Sequence, residues 1–151
     1  MDPGALGSLG VGTGFSMAAK LAHPNKEVVC LYGDGSFGMT AFDMETAQRF
    51  GAPYLAIVGN NSAMNQIRYG QISKYGAQRG GVGNKLGDID FSLFGKMIGG
   101  YGEEVREASQ IQPALLRARE AISKTGKCAV VNVWVDPNEY APGTKAQTMY
   151  K

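Results

Sequence analysis

Three short apolar runs, Glu27-Val-Val-Cys-Leu-Tyr32, Pro53-Tyr-Leu-Ala-Ile-Val58 and Lys127–Val135, limit what this chain can fold into. Each is apolar at consecutive rather than alternate positions, the pattern of a strand buried on both faces. Segments with helical periodicity lie between them. Ser109–Lys124 is the clearest: Ile111, Leu115, Leu116, Ala118, Ala121 and Ile122 share one side, and Pro113 falls in the first turn. Further helices are expected over Phe15–Ala22, closed by His23-Pro24-Asn25, over Thr40–Phe50, and from Asp90 through Ile98. Glu103–Val105 reads as a short strand, residues 62–90 as a short helix followed by a loop, and Asp136–Lys151 as an irregular tail. Strands alternating with helices of this length predict an α/β fold, a doubly wound parallel sheet with helices on both faces. In such sheets ligands bind at the carboxyl ends of the strands.

At 151 residues and 16.0 kDa the chain is long enough for one domain with a sizeable core. Its 44% hydrophobic and 19% charged residues describe a folded rather than a disordered composition. Fifteen lysines and arginines against thirteen acidic residues leave +2, which gives no basis for a nucleic-acid or membrane-surface partner. No apolar run approaches the roughly 18 residues that span a bilayer. The start, Met1-Asp2-Pro3-Gly4, has no basic region or apolar segment, so the expected location is cytoplasmic. Cys30 and Cys128 sit in apolar runs without a neighbouring His or Cys, as buried small hydrophobes do. The count that stands out is 22 glycines, about twice the average share. They cluster at Gly4–Gly14, Gly33–Gly38, Gly80–Gly87 and Gly95–Gly102, where turns or close backbone approach are expected.

Gly33-Asp34-Gly35-Ser36-Phe37-Gly38 follows a strand and opens a helix, and so fits a dinucleotide-binding pattern. Asp34 argues against that reading, because it would set a carboxylate beside a pyrophosphate. The next strand also ends in Gly59-Asn60-Asn61, where a ribose-binding acid would be expected. A divalent cation removes the conflict. Mg²⁺ takes oxygen ligands, often one carboxylate plus phosphate oxygens, and an Asn carboxamide adds a neutral one. Glycines would let backbone N–H groups face the diphosphate. Taken singly, Asp34 could be an N-cap and Asn60-Asn61 a plain turn.

Taken together, Gly33-Asp34-Gly35, 24 residues, then Asn60-Asn61 resembles the signature of thiamine-diphosphate-dependent enzymes, over nearly the whole chain. The resemblance is to their diphosphate-binding domain, expected over residues 1–136. It implies Asp34, Asn61 and the backbone carbonyl of Ala63 as Mg²⁺ ligands. It also implies that the backbone of Gly35 and Ser36 meets the diphosphate, within a cofactor site that includes Gly33, Met64 and Asn65. Gly7-Ser8-Leu9-Gly10 matches the family's aminopyrimidine loop, in which the carbonyl of Gly7 receives the exocyclic amine and Leu9 supports the bent cofactor. Gly33–Met39, Asn60–Asn65 and the tail Tyr140–Lys151 look like the 2-hydroxyacyl-CoA lyase and oxalyl-CoA decarboxylase group, with acetolactate-synthase-like proteins close by. In that group the tail, here 137–151, can close the active site as a lid, which makes Tyr140, Gln147 and Tyr150 candidates to touch substrate. Arg68, Lys74, Arg79 and Lys85 could attract the phosphates of coenzyme A, but scattered basic residues of this kind are more often a solvated loop.

In the family the Glu that activates the cofactor lies on a separate pyrimidine-binding domain, usually of another subunit. Glu27, Glu45, Glu103 and Glu104 all belong to the diphosphate domain, so no catalytic residue is expected in this chain. The resemblance thus implies a partner domain or subunit, an oligomer (dimer or tetramer), and C–C lyase or ligase activity only with that partner. The abrupt start favours a fragment of a longer enzyme over a natural small subunit. The alternatives are acetolactate-synthase-like chemistry on a 2-keto acid and a non-catalytic binding or assembly module. A nicotinamide dehydrogenase is remote.

Overall fold

The computed structural model describes residues 1–139. Four parallel strands, β1 (Val29–Gly33), β2 (Leu55–Asn60), β3 (Tyr101–Val105) and β4 (Ala129–Trp134), form one sheet in the order β1-β2-β4-β3. Among the described residues six α-helices accompany it: α1 (Val11–Ala22), α2 (Asp34–Thr40), α3 (Asp43–Arg49), α4 (Asn65–Gly80), α5 (Ser92–Met97) and α6 (Ala108–Thr125). The α/β fold expected from the alternating pattern is the one observed. No helix among the described residues is long and apolar enough to cross a membrane.

Alternation along the strands divides the core in two. On one face Tyr32, Ala56, Val58 and Val130 pack with Phe37, Met44 and Phe91. Phe37, fully buried, meets Tyr32, Phe91 and Phe94 edge-on at centroid separations of 5.2, 5.5 and 5.8 Å. On the other face Leu55, Ala129, Val131 and Val133 receive Ala114 and Ala118 of α6. A capping box between Glu107 and Gln110 starts α6, and Gly126, at φ 66°, ends it. Against β3, α5 lies so close that a Cβ on Gly102 would run into the backbone carbonyl of Ser92. Cys128 is buried and Cys30 half-buried, both as free thiols, and burial pushes the Cys128 thiol up to about 11.

Several boundaries differ from those expected. α1 begins at Val11, four residues ahead of Phe15, because Gly10 takes a left-handed φ of 84° and the helix starts immediately after it. The helix expected over Thr40–Phe50 is α3, shortened to Asp43–Arg49, and a separate helix, α2, precedes it where a turn was expected, following β1 directly: Gly33 is extended and Asp34 already helical. Residues 65–80 form α4, interrupted at Gly76 (φ 78°, ψ 161°), where a short helix and loop were expected. β3 gains Tyr101 and Gly102, the latter expected in a glycine turn.

A buried hydroxyl pair crosses the first core. Tyr32 and Tyr54 place their OH groups 3.2 Å apart, and Thr13 Oγ1 lies 3.2 Å from that of Tyr32. Burial raises both phenols above the ordinary 10.0, Tyr54 to about 12. The folded state therefore holds protons that the unfolded chain releases above about pH 10. Stability is complete below that pH and falls as pH rises through it. Tyr54→Phe should cost about 1 kcal/mol at neutral pH and flatten the loss of stability between about pH 10 and 12. Urea unfolding across that range checks this; identical pH slopes for variant and native chain would contradict it.

The sheet is open on one side. Among the described residues β1 pairs with β2 alone, and Val29 and Leu31 are 54% and 78% exposed. α6 packs on β2, β3 and β4 but leaves an apolar groove of about 430 Å³ beside β1, lined by Val29, Leu55, Ile57, Leu115 and Leu116. An unpaired apolar strand edge templates association. Sedimentation velocity should show concentration-dependent self-association, reduced by Leu31→Lys. A concentration-independent monomer would contradict it.

Candidate functional site

β1 and β2 run in register with Gly33 opposite Gly59, so the residues that follow them meet at one end of the sheet. Asp34 is the first residue of α2 and only 3% exposed. Its Oδ1 accepts the N–H of Gly35 (2.7 Å), and its Oδ2 accepts the N–H groups of Asn61 and Ala63 (both 3.1 Å). Three backbone donors thus compensate a carboxylate withdrawn from water. Asp34 is not a helix cap: Gly33 holds the N-cap position, and two of the three bonds reach the loop after β2.

That loop is bent to suit. Ser62 has φ 56°, the left-handed region that non-glycine residues rarely adopt, and on either side of it both N–H groups face Asp34. The bend is tied down at Ser62 by Asp88 Oδ1 (2.7 Å) and by the Leu86 N–H on its carbonyl (2.8 Å). The two asparagines then part in role. Asn60 is fully buried, donates to the Ile89 carbonyl (2.7 Å) and Asn132 Oδ1 (2.9 Å), and accepts from Ser62 N–H (3.1 Å). Asn61 Oδ1 is buried without a hydrogen-bond donor. An unsatisfied acceptor beside a buried carboxylate is costly, and a cation relieves both.

Around this corner lies an open cleft of about 350 Å³. The end of β1 and the start of α2 bring Gly33, Asp34, Gly35 and Ser36 to it. The segment after β2 brings Asn61, Ala63, Met64 and Asn65, and the glycine loop before α1 brings Gly7 and half-exposed Leu9. Pro3, from the segment before the glycine loop, and Gln66 and Ile67, from the first turn of α4, also line it and were not anticipated. Two expected roles meet prior commitments. The Gly35 N–H is engaged by Asp34, and a Cβ at Gly35 would come within 2.9 Å of Met64 Cγ, so any larger residue there would push the Met64 side chain aside. The Ala63 carbonyl accepts the Asn65 N–H (2.8 Å), which leaves it one lone pair.

Of the four basic candidates, Arg68 and Lys85 line a separate hollow that adjoins Asn61, whereas Lys74 stacks over Tyr75 with its Nζ 5.1 Å from the ring centroid. The chain leaves β4 toward the cleft wall: the Pro137 carbonyl accepts Asn65 Nδ2 (2.6 Å) and the Tyr69 hydroxyl (2.7 Å). Tyr140, Gln147 and Tyr150 lie outside the described residues. Among the described residues no three His, Cys, Asp or Glu side chains come together as a group that could hold a metal ion. A cation at the cleft would rest on one carboxylate and neutral oxygens, a donor set suited to a hard ion.

Residues 1–133 match the family described as "Thiamine pyrophosphate enzyme, C-terminal TPP binding domain". Among curated relatives, 2-hydroxyacyl-CoA lyase 2 of Mus musculus is 33% identical over 145 residues, covering 95% of this chain and 22% of the relative. That of Danio rerio is 34% identical over 146 residues, covering 95% and 23%. The acetolactate synthase large subunit of Mycobacterium tuberculosis is 34% identical over 142 residues, covering 94% and 25%. The chain spans a quarter or less of the length of these relatives. With Asp34 and Asn61 meeting at the strand ends and nearly the whole chain matched, the protein belongs to the C-terminal thiamine-pyrophosphate-binding domain family of thiamine pyrophosphate enzymes.

Proposed function

We propose that this chain is the diphosphate- and Mg²⁺-binding half of a thiamine-diphosphate-dependent enzyme that breaks or forms C–C bonds in substrates of the 2-hydroxyacyl-CoA type. The observation that carries the reading is Asn61 Oδ1, a buried acceptor without a donor, in the cleft that also holds the buried carboxylate of Asp34. Asp34 and Asn61 would hold Mg²⁺, with the remaining lone pair of the Ala63 carbonyl as a third ligand. Gly33, where an added Cβ would meet nothing within 4 Å, leaves room for a diphosphate beside Ser36. Gly7 and Leu9 would face the aminopyrimidine, and Met64 and Asn65 would line the far wall.

Thiamine diphosphate, once bound, supplies a thiazolium that acts as electron sink when the bond to the substrate carbonyl carbon breaks. This chain's residues bind and orient it. The acid that activates it would come from a pyrimidine-binding domain or subunit, so the chain alone is inactive and works within an oligomer. The domain would extend over residues 1–136. Residues 137–151 would form a lid that brings Tyr140, Gln147 and Tyr150 to the substrate, a reading supported by the docking of Pro137 on Asn65 and Tyr69. A second reading, 2-keto acid chemistry of the acetolactate-synthase kind, is supported by the mycobacterial relative, which is as similar as the lyases.

The two proposed side-chain ligands separate in a calorimetric titration of thiamine diphosphate with Mg²⁺. Asn61→Ala removes a buried oxygen that has no partner, so the variant should be no less stable than the native chain, while Mg²⁺-dependent binding weakens at least about tenfold. Asp34→Ala should abolish that binding and also cost about 2–3 kcal/mol, since three backbone donors lose a charged acceptor. Binding that ignores Mg²⁺ and both substitutions would refute the proposal.

A further inference from the structure

Gly10, the residue from which α1 starts, is held on both of its backbone groups by side chains of α2. Its N–H donates to Ser36 Oγ (3.1 Å), and its carbonyl accepts from Thr40 Oγ1 (2.8 Å). Ser36 and Thr40 stand four residues apart and so share the helix face that looks at the glycine loop. Asp34 opens the same helix. Contact is close as well: a Cβ on Gly10 would lie 3.1 Å from Thr40 Cγ2. Among the described residues, the side-chain hydrogen bonds that tie the 4–10 segment to the rest of the fold both fall on Gly10.

The carbonyl of Gly10 can only accept, so the Thr40 proton is committed to it. That fixes the sense of every link behind. Thr13 must donate to Thr40 (3.0 Å), Tyr32 to Thr13 (3.2 Å), and Tyr54 to Tyr32 (3.2 Å). Four hydroxyls thus form a one-directional chain from Tyr54, just ahead of β2, through the core to the glycine loop. Each link polarises the next toward Gly10.

We infer that Ser36 and Thr40 are positioning residues that lock the Gly7–Gly10 loop in register with Asp34. On the cofactor reading proposed above, on which this inference rests, the lock sets the spacing between the thiamine end and the diphosphate end of the bound molecule. Diphosphate and metal need only the Asp34–Asn61 corner. The aminopyrimidine end needs the loop as well. Loosening the clamp therefore weakens the organic half selectively.

The test compares Mg²⁺–thiamine diphosphate with Mg²⁺–inorganic diphosphate, each titrated against the native chain, Thr40→Val and Thr40→Ser, with thermal melts as a check on folding. Thr40→Val should weaken thiamine diphosphate roughly 3- to 10-fold, the worth of one hydrogen bond, and move inorganic diphosphate less than about twofold. Thr40→Ser, which keeps the donor, should restore the native ratio. Should Thr40→Val fail to fold, Ser36→Ala must speed exchange of the Gly10 amide and shift the ratio the same way. A ratio that does not move in the folded variant overturns the inference and leaves the site intact. Failure of the native chain to bind inorganic diphosphate with Mg²⁺ overturns the cofactor reading and the inference with it.

Discussion

The buried carboxylate of Asp34 is the interaction on which the site depends. A charge withdrawn from water must be met by donors. Here those donors are the backbone N–H groups of Gly35, Asn61 and Ala63, drawn from two strand ends. That requirement accounts for much of the local architecture. β1 must pass into α2 without a turn, so that Asp34 enters the corner. The loop after β2 must bend at Ser62, against its backbone preference, so that two N–H groups on either side of the bend point the same way. The bend in turn needs Asp88 and Leu86 to hold it. The result is a rigid corner whose remaining unmet group, Asn61 Oδ1, is an acceptor.

The surrounding fold keeps that corner fixed. Phe37, on the same short helix as Asp34, is buried among three aromatic rings, and losing its side chain would cost about 3–5 kcal/mol by the usual large-to-small rule. Asn60 and Asn132 link β2 to β4 beneath the loop. Ser36 and Thr40 carry the same helix's position across to the glycine loop. One seven-residue helix, α2, therefore connects the Asp34 corner, the core and the loop. The contrast with β1's other edge is sharp: among the described residues nothing pairs with it, and Val29 and Leu31 are exposed.

Much of this was legible in the sequence where chemistry and spacing coincide. Asp34 and Asn61 follow two continuous apolar runs, and any parallel pairing of those runs brings their carboxyl ends together. The strands and the amphipathic α6 were legible for the same reason, since burial on one or both faces leaves a period in the sequence. Glycine misled in both directions. Gly70, Gly76 and Gly80 hid α4, which tolerates them and breaks only at Gly76, while Gly102 sits within a strand because α5 comes too close for a side chain. The separate duties of Asn60 and Asn61 depend on a left-handed Ser62 that no local rule anticipates. The hydroxyl chain was invisible, because Thr13, Tyr32, Thr40 and Tyr54 carry no shared motif and meet only through packing. The tail with Tyr140, Gln147 and Tyr150 lies outside the described residues.

The central claim is that the Asp34–Asn61 corner is built for a cation that a diphosphate shares. Anomalous diffraction from crystals of the chain grown with Mn²⁺ in place of Mg²⁺, together with thiamine diphosphate, tests it most directly. The account predicts a single strong peak in contact with an Asp34 carboxylate oxygen and Asn61 Oδ1, with diphosphate oxygens completing the shell. A peak elsewhere on the chain, or bound cofactor with no metal at this corner, would contradict it.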